Sequence, residues 1–182
     1  MDIREAQHEV REIYLHGAPG TLVATVLWAV SAALSTWRSP RVGALVVVVG
    51  GAFIFPALQL VLKMMGRRAS LRPENPLAGL AMQSAFIIPL CLPVVGAAAL
   101  HRADWFYPAL LVVVGAHYLP FVTLYGMRLW YVLGGALIVA GLILGLYGPH
   151  VFELGGWVGA ALLGAFTLVF VAAARREGSP VA

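Results

Sequence analysis

The chain of 182 residues is 61% hydrophobic and only 11% charged, whereas a typical soluble domain carries roughly 25% charged residues. A water-soluble fold could not bury this much apolar surface, so the composition excludes an ordinary soluble domain and predicts an integral membrane protein. The net charge of +4 comes from arginine clusters at the ends of apolar segments. This distribution is typical of membrane topology, and no nucleic-acid-binding motif accompanies it.

Residues 1–18 are predicted to form an amphipathic helix. Ile3, Ala6, Val10, Ile13 and Tyr14 recur at helical spacing, with charged residues on the other face. That polar face is mostly acidic, which favours packing on the rest of the protein over attachment to anionic lipid. The segment has neither a basic start nor a cleavage site of small residues, so no signal peptide is expected.

Six apolar runs follow, each near the ~20 residues that cross a ~30 Å hydrocarbon core. Their predicted bounds are 19–37, 42–64, 77–100, 104–126, 128–147 and 152–174. The sequence therefore predicts an all-α integral membrane protein, with a bundle of six transmembrane helices over 19–174 and a cytoplasmic tail over 175–182. Asn75 and Pro76 are expected to cap the third span.

Lys and Arg are distributed unequally between alternate loops. The side of the N-terminus holds nine of them: Arg4, Arg11, Lys63, Arg67, Arg68, Arg72, Arg128, Arg175 and Arg176. The other side holds three: Arg38, Arg41 and Arg102. Because basic loops remain in the cytoplasm, both termini are predicted to be cytoplasmic.

Spans one and two are similar in sequence to spans three and four at a shift of 64 residues. The shared pattern is G-A-x-x-x-P-x-x-x-L, which aligns Gly51 and Pro56 with Gly115 and Pro120. Such a pattern is typical of a parallel repeat of two helical hairpins. Chance matches are also common in apolar sequence, so both interpretations are open.

Proline occurs inside spans two, three and four, at positions 56, 89, 93 and 120. A proline removes one helical hydrogen bond and bends the helix, so the carbonyls of Ala52, Ala85 and Ala116 are expected to lose their usual partners. Broken membrane helices either serve packing or line a binding site. Three such spans in succession favour a functional core.

His117 is predicted to lie near the middle of span four. An ionisable group at that depth is expected to face the bundle interior, with Gln59, Gln83 or a water as its partner. It either binds or relays a small solute, ion or proton, or only joins two helices. The predicted substrate-binding set is His117, Tyr118, Gln59, Gln83, Thr123, Tyr125, Pro56 and Pro120.

On the other side of the membrane, His101 and Asp104 precede span four, and His150 and Glu153 open span six. These four side chains are candidate ligands of a divalent metal, although carboxylates at helix starts also serve capping. No catalytic or cofactor motif is present, so neither an enzymatic activity nor a cofactor is predicted. The single cysteine, Cys91, allows no intrachain disulfide.

Small residues form stripes on spans five and six that permit close approach of helices. They are Gly141 and Gly145 on span five, and Gly155, Gly156, Gly159, Ala160 and Gly164 on span six. Packing within the subunit is the expected role, and a homo-oligomeric interface is the alternative.

The segments 4–14, 50–56, 75–77 and 115–128 resemble a bacterial family of small multi-span membrane proteins of unknown function. The resemblance covers nearly the whole chain and implies a bacterial inner-membrane protein, without an activity or substrate. Three function hypotheses are open. The first is binding or passage of a small solute, ion or proton through a site on spans two to four. The second is a non-transporting scaffold that binds lipid or a protein partner, and the third, less favoured, is a membrane-embedded enzyme.

Overall fold

The computed structural model of the chain describes residues 1–67 and 69–177. Arg68 and residues 178–182, the end of the predicted tail, lie outside the described residues. The described part is helical and contains no β-strand, which confirms the all-α prediction. Its α-helices are α1 (Ile3–Tyr14), α2 (Ala18–Trp37), α3 (Pro40–Gly51), α4 (Ile54–Met64), α5 (Ala78–His101), α6 (Phe106–Tyr118), α7 (Phe121–Tyr125), α8 (Leu129–Tyr147) and α9 (Leu154–Glu177).

Within the described residues, five helical segments are long and apolar enough to cross a membrane. They are Ile3–Trp37, Ala78–His101, Ala103–Tyr125, Leu129–Tyr147 and Leu154–Arg176. The first comprises α1 and α2, of which α1 is rich in charged residues and α2 carries the apolar run. α3 and α4 pass the same test only as a pair, and they are bent by 60°. Counted as one broken span, this pair brings the number to six.

A tight turn redirects the chain between α1 and α2. Leu15, His16 and Gly17 all have positive φ angles, of 47°, 61° and 93°. This left-handed conformation ends α1 and allows it to pack across the end of the bundle. Gly17 faces the Trp130 ring, where a Cβ atom would overlap the indole. A glycine is therefore required at that position on steric grounds as well as for its φ angle.

We define the α1 end of the bundle by the contacts that α1 makes. The Arg67 side chain, in the connection between α4 and α5, donates to the main-chain carbonyl of Glu12 at 2.8 Å. The Gln7 side chain donates to the carbonyl of Thr123 on α7, also at 2.8 Å. The start of α2, the connection after α4 and the end of α7 are thus neighbours at this end.

The other connections between the helices lie at the opposite end of the bundle. Trp157 near the start of α9 donates from Nε1 to the Thr36 hydroxyl on the last turn of α2, at 3.2 Å. Gly156 packs against the ring of Tyr107 at the start of α6. Because α2 leads away from the α1 end and the connection after α4 returns to it, the bent α3–α4 pair carries the chain back. The chain therefore passes six times between the two ends.

The bend between α3 and α4 is centred on Ala52 and Phe53, three to four residues before Pro56. A proline lacks the N–H that would bond the carbonyl four residues earlier, and its ring crowds that carbonyl. The turn is closed instead by hydrogen bonds that span three residues rather than four, from Ala52 N to Val49 O and from Phe53 N to Gly50 O.

The prolines at positions 89, 93 and 120 affect their helices differently from Pro56. Near Pro120, α6 ends at Tyr118, but the carbonyl of Ala116 accepts from Leu119 N at 3.1 Å. This carbonyl therefore lacks its usual partner at Pro120, as expected, but it is not left unbonded, because the last turn tightens to i→i+3 bonding. Pro89 and Pro93 lie within α5, which continues from Ala78 to His101 without a break.

α6 and α8 pack closely against each other. A Cβ atom on Gly115 would lie 2.6 Å from the carbonyl oxygen of Gly134, and one on Gly141 would lie 2.6 Å from that of Pro108. Backbone meets backbone at both places, which only residues without a side chain permit. The stripe on span five is thus covered by α6, within the subunit.

The stripe on span six is covered by α2 and α6. Gly159 lies against the ring of Trp28, and a Cβ on Gly156 would be 3.0 Å from the Cβ of Ala32. The two stripes therefore do not face each other, although a short connection joins α8 and α9. Both stripes serve packing inside one chain, and the homo-oligomer remains a prediction.

Candidate functional site

His117, on α6, is half-buried and faces α5. Its Nδ1 lies 2.7 Å from the main-chain oxygen of Ser84. A carbonyl only accepts, so this nitrogen carries the proton and donates. The imidazole also contacts the rings of Tyr118 and Phe121, with centroids 5.3 and 4.9 Å away. The side chain points inward as expected, but its partner is a backbone carbonyl and neither of the two expected glutamines.

The other predicted polar residues of spans two and three are not gathered around it. Gln83 is exposed on α5, Gln59 is half-buried on α4, and Pro56 is exposed. α3 and α4 pack mainly on α2, whereas α5 packs mainly on α6. Gly43 on α3 permits the close packing of α3 on α2, since a Cβ atom at this position would lie only 2.5 Å from the Ser31 carbonyl on α2. Spans two, three and four therefore do not enclose a common polar vestibule.

Tyr118 and Tyr125 belong to an aromatic cluster around Trp130, which is 1% exposed. The Trp130 centroid lies 5.3 Å from that of Tyr118, 5.0 Å from those of Phe121 and Tyr125, and 4.3 Å from that of Phe170. Rings at these separations are in direct contact. The cluster is a packed core that holds α7, α8 and α9 together, and its tyrosine rings do not line an open pocket.

Thr123 and Tyr125 contribute through their main chains. The carbonyl of Thr123 accepts from Gln7 at 2.8 Å, and the carbonyl of Tyr125 accepts from Arg11 Nη1 at 2.6 Å. The last carbonyls of a helix have no intrahelical partner, so these two side chains of α1 cap the short α7. The predicted packing of α1 on the bundle rests largely on these bonds.

Sequence reasoning missed Glu9, which lies on the buried face of α1 and is 6% exposed. Its carboxylate accepts from Arg72 N at 3.0 Å, from Arg72 Nε at 3.2 Å and from Asn75 Nδ2 at 2.8 Å. Burial acts to raise the pKa of Glu9, but the hydrogen bonds from Asn75 and Arg72 and the Arg72 charge outweigh it. They hold this pKa below the usual glutamate value. The sequence did contain an indication of this role, because Glu9 falls on the apolar face of the predicted N-terminal helix.

Asn75 has a different role from the predicted helix cap. α5 begins at Ala78, and the Asn75 side chain accepts from Leu77 N at 2.9 Å in the turn before it. Its amide group donates to the carbonyl of Ala6 at 3.2 Å as well as to Glu9. The residue therefore ties the connection between α4 and α5 to α1.

An open cleft of about 420 Å³ lies between α1 and this connection. We call it the α1 cleft; it is lined by Glu9, Glu12, Ile13, Gly66, Arg67 and Arg72. Gly66, with φ of 68°, makes the turn that ends α4 and brings the next residue back towards α1. The Arg67 guanidinium bonds the main-chain oxygen of Glu12 and not its carboxylate.

Glu12 and Arg67 are both exposed. No hydrogen bond or ion pair joins the Glu12 carboxylate to any residue that the structure describes. The cleft thus contains in its lining a carboxylate and a largely uncommitted guanidinium that do not form an ion pair with each other. A cleft with this lining can bind both positively and negatively charged groups.

The outer candidates come together only in part. Asp104 Oδ2 lies 2.6 Å from Arg102 Nη2 and 3.0 Å from His150 Nδ1, and Arg102 also contacts His150. His101 and Glu153 do not join this group. A guanidinium among the ligands would repel a cation, and the described residues contain no group of three or more His, Cys, Asp or Glu arranged for a metal. The arrangement is an ion-pair cluster.

The model of a family of unknown function, DUF7010, matches residues 3–177. The chain belongs to this family. The resemblance seen in the sequence is thereby confirmed, although membership assigns no activity or residue role. No curated protein and no solved structure matches the chain. Function must therefore be argued from the geometry.

Proposed function

We propose that the protein is a bacterial inner-membrane protein with six spans and cytoplasmic termini, and that it binds a small polar ligand in the α1 cleft. The apolar helices and the six passages between the ends of the bundle support the spans. Basic residues support the orientation, since cytoplasmic loops carry the excess of Lys and Arg. Among the described residues, the α1 end holds Arg4, Arg11, Lys63, Arg67, Arg72, Arg128, Arg175 and Arg176, and the opposite end holds Arg38, Arg41 and Arg102.

One observation carries the binding proposal. The α1 cleft is lined by Glu12 and Arg67, and their charged groups do not form an ion pair with each other. Ligand sites are concave regions with a few convergent polar groups. One lining residue, the buried Glu9, is held in place by hydrogen bonds from Arg72 and Asn75.

Passage of a solute or proton along spans two to four has less support. The Nδ1 proton of His117 is committed to the Ser84 carbonyl, and α4 packs on α2 instead of beside α5 and α6. The scaffold alternative draws on the exposed apolar side chains of α4 and α5, such as Phe55 and Leu90, which are suited to contact with lipid.

The orientation can be tested by cysteine labelling in a variant that lacks Cys91. Ser39→Cys, between α2 and α3, should react with a membrane-impermeant maleimide on intact cells. Ser70→Cys, at the α1 end, should react only after the membrane is permeabilised. Labelling of position 70 alone in intact cells would show the reverse orientation.

Binding can be tested by the thermal stability of purified protein in micelles against a panel of polar solutes and lipids. A ligand of the folded state raises the unfolding temperature. Arg67→Gln should reduce the shift by weakening the binding, whereas Arg128→Gln, an exposed arginine at the same end but outside the cleft, should retain it in full. An unchanged shift in Arg67→Gln would place binding elsewhere.

A further inference from the structure

We infer that the α1 cleft selects a zwitterion that carries a primary ammonium and a phosphate, the chemistry of a phosphoethanolamine group. This inference rests on the proposed binding function of the cleft and names the class of its ligand. It follows from the charges that line the cleft, from the hydrogen-bonding capacity of those charges and from the position of the cleft in the fold.

Among the residues that the structure describes, the lining includes two carboxylates and two guanidiniums. Arg72 lies 3.2 Å from Glu9 and 3.7 Å from Glu5. Glu9 and Arg72 are thus engaged within the protein, which leaves Glu12 and Arg67 to meet a ligand. A simple anion would be attracted by Arg67 but repelled by Glu12. A simple cation would be attracted by Glu12 but repelled by Arg67. A ligand that carries both charges is complementary to both side chains at once.

The two groups also differ in what they recognise. The Arg67 guanidinium uses one N–H on the Glu12 carbonyl, and its remaining donors match the paired oxygens of a phosphate. The Glu12 carboxylate only accepts hydrogen bonds, which a primary ammonium donates and a quaternary ammonium does not. The pair therefore distinguishes an ethanolamine group from a choline group.

The position of the cleft allows two sources for this chemistry. It adjoins Gly66, directly after Met64 and Met65, which are exposed at 79% and 55% at the end of the apolar α4. Lys63 precedes them on the same turn. A cleft at the boundary between an apolar helix and a basic connection is accessible to lipid headgroups as well as to solutes. The volume of about 420 Å³ lies within the range of ~300–1,000 Å³ for small-molecule sites.

The experiment titrates the full-length protein in detergent micelles with four separate probes: phosphatidylethanolamine, phosphatidylcholine, phosphatidylglycerol and free phosphoethanolamine. Binding is followed by the shift in unfolding temperature. Phosphatidylethanolamine should bind more tightly than the choline and glycerol lipids. Glu12→Gln and Arg67→Gln should each weaken it about tenfold, because each loses one charge-assisted interaction.

Matched controls are Glu74→Gln and Arg128→Gln, which change exposed charges at the same end outside the cleft and should leave the affinity unchanged. Both source outcomes support the inference: equal affinity for free phosphoethanolamine indicates a soluble ligand, and binding of the intact lipid alone indicates a headgroup. If phosphatidylglycerol binds more tightly than phosphatidylethanolamine, and Glu12→Gln strengthens that binding, the inference of a zwitterionic ligand is overturned. The cleft would then be an anion site. Binding of every probe unaffected by Arg67→Gln would overturn the proposed function as well.

Discussion

The two hairpins that align in sequence, α2 with α3–α4 and α5 with α6–α7, are packed differently. Gly51 has no atom within 4 Å of the place where a Cβ would stand, whereas a Cβ on its counterpart Gly115 would lie 2.6 Å from the carbonyl oxygen of Gly134. The same G-A-x-x-x-P pattern thus forms an open surface in one hairpin and a close backbone crossing in the other. A glycine in an apolar helix permits close approach, but the neighbouring helix decides whether it occurs.

The breaks in the two hairpins also differ. The first lies at Ala52 and Phe53 and bends the chain by 60°, while the second lies at Leu119 and Pro120. A shift of 64 residues would place the first break at 116–117, so the two breaks are not equivalent. The internal repeat therefore remains a prediction.

The largest effect is expected where the connection after the first hairpin meets α1. Glu9→Ala removes the buried acceptor of Asn75 and Arg72, and should lower the free energy of unfolding by about 3 kcal/mol. The estimate is at the lower limit for a buried pair because Arg72 is half exposed. Denaturation in micelles measures it. Glu5→Ala removes only the exposed contact of Glu5 with Arg72 at 3.7 Å, so it serves as the comparison and should cost less than about 0.5 kcal/mol.

The same carboxylate should make stability depend on pH. The pKa of Glu9 is lower in the folded state than its usual value, so its contribution is fully present above the unfolded-state pKa. It is lost as the pH falls through the lower, folded-state pKa. The difference in stability between the wild type and Glu9→Ala should therefore be constant near neutral pH and shrink at acid pH. A difference that grows on acidification would contradict this assignment.

The next effect compares the two aligned glycines directly. Gly115→Ala should lower the free energy of unfolding by about 2 kcal/mol, since backbone atoms of α8 cannot move away from the new methyl group. Gly51→Ala meets no atom and should be neutral or stabilising by up to about 1 kcal/mol, through helix propensity. Equal losses in the two variants would mean that the hairpins are packed alike.

A smaller effect concerns the aligned prolines. Pro56→Ala supplies an N–H that can bond the Ala52 carbonyl, so α3 and α4 should straighten. Spin labels at the exposed positions Leu45 and Leu60 should then move apart by roughly 3 Å, given a rise of about 1.5 Å per residue. Pro120→Ala should change the free energy of unfolding by less than about 1 kcal/mol, because side chains of α1 already hold α7. An unchanged label distance in Pro56→Ala would attribute the bend to packing on α2.

The smallest effect compares the aligned arginines at the opposite end. Arg102→Ala removes an ion pair with Asp104 at 2.6 Å and a contact over the Trp105 ring at 5.1 Å. Both partners of the ion pair are partly exposed, so the loss should be about 0.5–1 kcal/mol and should diminish at high salt. Arg38→Ala should cost nothing measurable. A large, salt-independent loss for Arg102→Ala would show that the cluster is buried in the membrane-embedded protein.

Local sequence predicted the helices well because hydropathy and helical period are properties of a segment. The third span was expected at 77–100 and α5 is Ala78–His101; the fifth was expected at 128–147 and α8 is Leu129–Tyr147. The amphipathic N-terminal helix was found for the same reason. The role of Glu9 could not be found this way, since its partners Arg72 and Asn75 lie more than 60 residues away.

The sequence by itself determined that the chain is helical and apolar, the approximate bounds of its apolar segments, and which ends carry the basic residues. Only the tertiary structure decided which helices touch. α3 packs on α2 because Gly43 allows it, and α8 packs on α6 because Gly115 and Gly134 meet. His117 bonds a carbonyl of α5 instead of a glutamine. Hydropathy is nearly uniform along these spans, so the fit of small residues and the few available polar groups selects the partners.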